Sequence, residues 1–461
     1  MNVLLISNDY PPHRWAGTET YTAGIADQLR IRGHLIHVIC KGSWEKGIKY
    51  WNGCTDDTYH SIPVRRLNVN WAKAPDPFGY LYYNPVVADY LANYLNEIQP
   101  DLIHVTSCET LSASVIQVVK NKGVPMVLSL TDFWFLCPRS NLIKSDGSIC
   151  DGVTTPWQCL RCQLFNSKLY RWPNIFFSDK TISYLLTKLC KYPFITRQRG
   201  FRGWAGNMEN RKGYLRQAIT WPDIRITASP FVRDIFQANG IQAPFIVQSY
   251  GHDLTWLTEY AGKTSSDTFR IGFIGQISGY KGVHLLIEAT NIIQDRFNHK
   301  LILYIYGNMR HDINYSNSLR QLAKDRSNIQ FCGTYPHEHS AKVFADIDVL
   351  VVPSIWYDFP LIIYEAFATK TPVIATNLGG MAEAVQHEVN GLLFERGNIN
   401  DLAKQIMRII NDPGLLDKLQ KGIPPVKQMS EEVDELEQIY ESIVQHSPNY
   451  LIRVSKELSP T

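Results

Sequence analysis

Two carboxylates and two helix starts crowd into one short stretch of the chain. Between Pro353 and Glu383 it reads PSIWYDFPLIIYEAFATKTPVIATNLGGMAE. Asp358 falls in a turn and Glu365 on the helix that follows; after the strand Pro372 to Thr376, Gly379 and Gly380 make a turn that opens another helix. Carboxylates accept hydrogen bonds from hydroxyls. A helix N-terminus offers free N–H groups and roughly half a positive charge, which suit a phosphate. Lys281, in GYKG immediately before a further helix, adds a full cation where a departing phosphate would develop charge. Together these residues outline a site for a ligand that carries both hydroxyls and phosphates. The alternatives are a solvated turn lysine at Lys281 and a ligand-free loop and helix at the acids.

Such groups converge only if the fold delivers them to one edge, as open α/β sheets do at the carboxyl ends of parallel strands. The chain writes this plan twice. Its first half runs from the strand Val3 to Ser7, through a loop holding Gly17, to a helix from about Thr18 to Arg32 and a strand at Ile36 to Ile39. The second half repeats it with Arg270 to Ile274, the loop GQISGYKG, a helix from about Val283 to Ile293 and Leu301 to Tyr306. Alternating strands and helices predict parallel sheets with right-handed crossovers. Further strands are expected at Leu102 to Val105, Met126 to Leu130, Arg225 to Ala228, Phe245 to Gln248, Ile329 to Cys332, Val349 to Val352 and Val373 to Ala375. The polar run TEYAGKTSSDT predicts a boundary, giving domains 1–258 and 259–425. In the tail 426–461, Val433, Leu436, Ile439, Tyr440 and Ile443 share one helical face.

The Asp358 to Glu365 stretch resembles the donor-binding signature of the family 4 glycosyltransferases, retaining enzymes with two facing Rossmann-like domains, a fold known as GT-B. The resemblance implies an α/β fold with a donor cleft between the domains and a C-terminal helix crossing back to the first; a plain capping helix on the second domain is the alternative. It implies that Glu365 holds ribose hydroxyls, that Asp358 faces the donor sugar, and that the backbone of Phe359, Pro360 and Leu361 reaches the sugar and phosphates. Lys281 with Gly282 matches the family's Lys-Gly, so Lys281 is expected on the diphosphate. Gly17 lies in HRWAGTETY, which resembles the glycine-rich segment beside the donor phosphates; Gly307, after LILYIYG, ends a strand facing the cleft or is only a turn. Base recognition is expected from backbone near Cys332 to Tyr335.

Three positions depart from the family pattern. Asp358 lies seven residues before Glu365 rather than eight, and one missing residue shifts a backbone by up to roughly 3.5 Å. Gln276 stands where the family has Arg; a neutral partner in place of a charged one weakens diphosphate binding by ~1 kcal/mol. In TDFWFLCPR, similar to the family's His-Asp-aromatic-Trp segment, Thr131 replaces the histidine, which leaves Asp132 as the nearest base or as a helix cap. The catalytic candidates are thus Lys281, Asp358 and Asp132.

Other clusters read differently. Cys137, Cys150, Cys159 and Cys162 include a Cys-x-x-Cys pair and could hold structural zinc, stay reduced, or pair as disulfides. Asp346-Ile347-Asp348 mimics a metal-binding Asp-x-Asp but precedes a buried strand, so it reads as a turn. His104 reads as a core or edge histidine, and His34 as a turn residue. Residues 163–221 form an insertion with eleven basic side chains against two acidic ones, interleaved with aromatics. That pattern suits an anionic membrane surface or a phosphate-linked acceptor, or else solvated cations over an aromatic core.

Composition narrows the class. With 461 residues, a net charge of +3 and 45% apolar content, the chain reads as a soluble enzyme of two or three domains with no nucleic-acid field. No signal peptide or membrane span is expected, so the reading is cytoplasmic, with peripheral contact at the inner membrane face. Nine cysteines, an odd number, argue against a disulfide framework. No G-x-G-x-x-G follows either first strand, which disfavours a nicotinamide oxidoreductase. The resemblance implies a metal-independent transferase moving a hexose from a nucleotide diphosphate sugar to a glycan or lipid-linked acceptor, with no catalytic cofactor. A non-catalytic sugar-nucleotide or glycan-binding protein and a sugar-nucleotide epimerase are the rival readings.

Overall fold

The computed structural model describes residues 1–45, 47–165, 176–189, 191–192, 207–297, 301–356 and 360–445. The chain divides into two compact units: Met1–Tyr250 with the chain from Met429, and Gly251–Gln428. The break after Tyr250 lies ahead of the boundary expected at 258. Residues 251 to 258 belong with the second unit because the 3-10 turn Thr255–Glu259 buries Trp256 in that unit's core.

The second unit is the simpler. Its six strands are β9 (Phe269–Ile274), β10 (Leu301–Tyr306), β11 (Ile329–Gly333), β12 (Val349–Val352), β13 (Val373–Thr376) and β14 (Gly391–Phe394), in the order β11-β10-β9-β12-β13-β14. Every neighbouring pair is parallel. The direction of travel across the sheet reverses between β9 and β12, so their carboxyl ends flank the topological switch point. β12 and β13 are buried throughout, as strands covered by helices on both faces must be. β14 was not anticipated; its four residues are too few for periodicity to register.

The first unit has eight strands: β1 (Asn2–Ile6), β2 (Leu35–Lys41), β3 (Trp51–Tyr59), β4 (Ile62–Val69), β5 (Leu102–Val105), β6 (Met126–Leu130), β7 (Ile224–Thr227) and β8 (Ile246–Val247). The order is β3-β4-β2-β1-β5-β6-β7-β8, with β3 antiparallel to β4 and the other pairs parallel. The β3–β4 hairpin corrects the simple βα plan. It turns through His60 and Ser61, both at positive φ, where the favoured Asn-Gly signal is absent. The C-terminal helix Met429–Val444 belongs to this unit: Met429, Val433, Leu436, Tyr440 and Val444 join the core formed with the helix Gly17–Ile31 and the sheet.

Much of the basic insertion, including Lys168, Arg171, Arg197, Arg199 and Arg202, lies outside the described residues. In the helix Met208–Ala218, Arg211 is buried, whereas the sequence reading counted it among cations available at a surface. Among the described residues no helix is long and apolar enough to cross a membrane.

Candidate functional site

In the second unit, the loops leaving β9 and β12 are fastened to each other. After β9 the chain makes the turn Gly279–Lys281 and passes through Gly282 at φ 71°. A Cβ at Gly282 would lie 2.0 Å from the carbonyl oxygen of Pro353, so this crossing of the two loops requires glycine. The Ile355 amide donates to the Tyr280 carbonyl at 2.9 Å, and the Arg396 guanidinium holds the Ile355 carbonyl at 2.8 Å. Lys281 projects its ammonium over the Trp356 ring, 5.8 Å from the centroid. The lysine therefore stands at the carboxyl edge of the sheet, beside the switch point. Gln276 is held by two neighbours: its amide meets His311 Nε2 at 2.5 Å, and its carbonyl accepts from the Tyr280 hydroxyl.

The chain after β12 carries the acid. Pro360 is buried, Leu361 caps the helix Ile362–Ala368, and Glu365 sits in its first turn. Asp358 and Phe359 lie outside the described residues. The Glu365 side chain is 18% exposed, with one carboxylate oxygen 4.0 Å from His337 Nε2. Burial raises its pKa, nearby Asp253 adds to this, and His337 opposes. The phenol of Tyr335 is pushed up by burial and by the charge of Glu365. His337 and Asp253 were not singled out from the sequence, and Tyr335 was expected only for its backbone near the base, not for its phenol. The available signal for His337 and the Tyr335 phenol was position: both follow Gly333, the end of β11, and so emerge at the edge where Glu365 lies.

The glycines separate into two kinds. At Gly307 a Cβ would lie 2.2 Å from the Gly275 carbonyl oxygen, so close packing of two loops accounts for it. In the first unit, Gly17 begins the helix Gly17–Ile31, is exposed, and has nothing within 4 Å of a built Cβ. Packing does not demand glycine there. Gly379 starts the helix Gly379–Ala384 at φ 53°, and Gly380 is buried.

The first unit gathers acids at the carboxyl ends of β5 and β6. Asp132 follows β6 and accepts from the Trp134 amide at 2.7 Å. Burial raises its pKa to about 7, with Glu109 adding to the rise and Arg211 opposing it. Glu109 is itself raised by burial and accepts from the Ser140 hydroxyl at 2.9 Å. Thr131 donates to the Thr106 carbonyl at 3.2 Å. These contacts make Asp132 a carboxyl that can take or give a proton near neutral pH. Glu109, which tunes it, is distant in sequence and was missed.

Other candidates resolve structurally. His104 is fully buried between the Tyr440 hydroxyl at 2.6 Å and the Ser129 hydroxyl at 2.8 Å, with a pKa lowered to about 3 by burial. His34 meets Glu437 of the C-terminal helix at 2.6 Å. Asp346 and Asp348 pair with Arg270 at 3.4 and 2.7 Å, which accounts for both acids without a metal. Cys137, Cys150, Cys159 and Cys162 line one cavity and are not bridged. Among the described residues, no three His, Cys, Asp or Glu side chains stand close enough together to hold a metal ion.

Comparison with known proteins agrees with this division. The family model for glycosyl transferases group 1 matches residues 260–424, and a glycosyl transferase 4-like domain matches residues 16–158. An uncharacterized glycosyltransferase of Methanocaldococcus jannaschii is 32% identical over 148 residues, which are 32% of this chain and 37% of that protein. The capsular polysaccharide biosynthesis glycosyltransferase CapM of Staphylococcus aureus is 29% identical over 222 residues, 46% of this chain and 54% of its own. The matches thus span about a third to a half of these relatives' length. Among solved structures, sucrose-phosphate synthase from Thermosynechococcus elongatus has a TM-score of 0.67 at 16% identity, covering 97% of this chain and 100% of its own. Anabaena HepE in complex with UDP-glucose has a TM-score of 0.63 at 18% identity, covering 96% and 100%. At these identities the likeness establishes the GT-B fold.

Proposed function

The chain belongs to the group 1 glycosyltransferases, and from that premise we propose that it transfers a hexose, with retention, from a nucleoside diphosphate sugar to a hydroxyl of a glycan or lipid-linked acceptor. The observation that carries the reading is the fastening of the β9 and β12 loops through Gly282, which puts Lys281 at the switch point next to the segment that leads into Glu365. In this reading Lys281 and the neutral Gln276 stabilise the leaving diphosphate, Glu365 holds the ribose, and the Pro360 to Leu361 backbone positions the sugar. Asp358 and Phe359 keep the roles inferred from sequence, facing and cradling the sugar, and Gly17 leaves room for a phosphate. Asp132 is the acceptor-side base. Fixed cations and amides stabilise charge on the departing phosphate without a metal, because they need no reorganisation as that charge develops.

HepE holds UDP-glucose in one solved structure, which makes that donor the first to test here. Peripheral membrane contact is part of the proposal, supported by exposed Phe176, Phe177, Tyr184 and Leu185 beside Lys180 and Lys188. The deciding experiment is a thermal-shift and calorimetric panel of nucleotide sugars, with magnesium and with chelator, on the wild type and Glu365→Ala. A donor present at 100 times its dissociation constant adds about 2.7 kcal/mol of stability. We expect a shift for one donor that survives chelation and is lost in the variant. Folded protein that responds to no donor or diphosphate would overturn the proposal. Tight donor binding with no transfer to any acceptor would favour the binding-protein reading instead.

A further inference from the structure

The loop that leaves β9 and the loop that leaves β10 are packed backbone to backbone. The Gly275 amide donates to the Tyr306 carbonyl at 3.0 Å, and a Cβ at Gly307 would lie 2.2 Å from the Gly275 carbonyl oxygen. This close approach sets Gln276, the next residue, against His311, whose amide closes the second loop on the Asn308 carbonyl at 3.3 Å. The Gln276 side chain bridges two others: its nitrogen meets His311 Nε2 at 2.5 Å, and its oxygen accepts from the Tyr280 hydroxyl. Tyr280 belongs to the turn that carries Lys281, and its ring stands edge-on to Trp356 with 5.5 Å between centroids. A chain of three side chains, His311 to Gln276 to Tyr280, therefore ends beside the Lys281 ammonium, which lies over the same Trp356 ring.

Hydrogen-bond polarity fixes the protonation of this chain. A carboxamide nitrogen only donates, so in the arrangement present His311 Nε2 accepts and the imidazole is neutral, with its proton on Nδ1. The Tyr280 proton is directed to Gln276. A second arrangement uses the same atoms. When the carboxamide turns through half a circle, its oxygen accepts from Nε2–H of a protonated imidazole, its nitrogen donates to the Tyr280 oxygen, and the Tyr280 proton is left for an outside acceptor. The first arrangement is neutral; the second carries one positive charge and presents an O–H donor at its far end. The other charged side chains of the two loops are Arg310, Asp312 and Lys281, and Asp312 is engaged in capping the helix Ile313–Leu322, 3.0 Å from the Tyr315 amide. On the helices into which the loops lead, His284 and the Tyr315 hydroxyl hold each other at 2.8 Å, while Arg396 is turned to the Ile355 carbonyl.

We propose that His311, acting through Gln276 and Tyr280, restores the positive charge that glutamine in place of arginine removes from the diphosphate site, so that a nucleotide sugar binds together with a proton. This rests on the donor reading, in which Gln276 and Lys281 face the leaving diphosphate. An anionic diphosphate favours the charged arrangement of the chain. His311 takes a proton from solvent, the carboxamide turns, and the Tyr280 hydroxyl donates to a phosphate oxygen; no covalent bond to carbon or phosphorus changes. Histidine suits the task because its charge changes between about pH 5 and 8, whereas an arginine at the same place would be charged throughout. The site is thereby made pH-dependent where the arginine would leave it constant. His311 is a positioning residue, since it acts on the phosphates through its neighbours.

The test is calorimetric titration with UDP-glucose, or with the nucleotide sugar that the donor panel selects, from about pH 5.5 to about pH 8.5 in buffers of different ionisation enthalpy. A nucleotide sugar is the right probe because its diphosphate, esterified at both ends, keeps a constant charge over this range. Wild type should take up a proton on binding and, at the acid end, bind about fivefold more tightly than His311→Gln, the ratio between a charged and a neutral hydrogen bond. Reading the difference between the two proteins cancels Glu365 and His337, which are common to both. Gln276 and His311 are exposed, so the variants should fold. In Gln276→Arg, the further change His311→Gln should leave affinity the same at every pH, a coupling that a merely structural histidine would not show. Without ligand, the imidazole nitrogen shifts of wild type at alkaline pH should place the His311 proton on Nδ1. Equal pH profiles and no proton uptake, with binding still lost in Glu365→Ala, would overturn the inference and leave the donor reading standing. Folded protein that binds no nucleotide sugar would overturn both, and a proton found on Nε2 in the free protein would remove the starting arrangement and the inference with it.

Discussion

Asp132 holds its proton up to about pH 7, chiefly because burial disfavours the charged form, with the Glu109 carboxyl nearby adding to it. An unfolded aspartate titrates near 3.9. The stability this shift contributes is therefore fully present below about pH 4 and is lost as pH rises through about 7. Asp132→Asn should remove that loss, so melting curves of wild type and variant should diverge from about pH 4 to about pH 8, the wild type falling more steeply. If Asp132 is the acceptor-side base, transfer by the wild type rises across the same window and the variant lacks that limb. Coincident melting profiles for the two proteins would show that Asp132 does not titrate there. The residue was visible in sequence as an acid after a strand. Its protonation was not, because the burial and the Glu109 contact that set it arise only in the folded unit.

At the scale of the element, the Gly279–Gly282 turn is where local conformation and long-range packing meet. Gly282 needs both a left-handed φ of 71° and the absence of a Cβ 2.0 Å from a backbone carbonyl. Gly282→Ala should cost about 1 to 3 kcal/mol of stability through strain and also weaken donor binding, since the β9 and β12 loops must part. Gly17→Ala has open space and a helical start, so it should change stability by under about 1 kcal/mol, and any loss of donor affinity there reports on the ligand. Urea unfolding of both variants beside donor titration separates the two cases; equal destabilisation would refute the assignment. The sequence showed Lys281-Gly282 as a turn before a helix. That the turn is bolted to Pro353 was hidden, since the two residues are adjacent only after the sheet forms.

For the whole molecule, the core bookkeeping is asymmetric. The buried clusters of the second unit draw only on residues between Gly251 and Gln428, whereas the first unit's core includes Met429, Val433, Leu436, Tyr440 and Val444 from the far end of the chain. A fragment of residues 251–428 should therefore fold alone with a cooperative thermal transition. Residues 1–250 should not, because removing the C-terminal helix uncovers the apolar face of Gly17–Ile31 and leaves buried His104 without the Tyr440 hydroxyl. Circular dichroism melts of both fragments, and of 1–250 with the helix peptide 429–445 added back, check this. A stably folded 1–250 fragment would show that the helix is not part of that core.

By itself the sequence determined what local pattern can carry: buried strands as β-branched runs, the doubling of the βα plan, the acid Glu365 on its helix, and Lys281 in its turn. These depend on neighbours a few residues away, and so they are written in spacing. Only the tertiary structure decided the order of the strands, and with it the switch point, the partners that set the protonation of Glu365 and Asp132, and the burial of Arg211. It also decided which glycines are demanded by packing, as at Gly282 and Gly307, and which are not, as at Gly17. Those properties come from atoms brought together across tens to hundreds of residues, and side-chain spacing along the chain holds no record of such contacts.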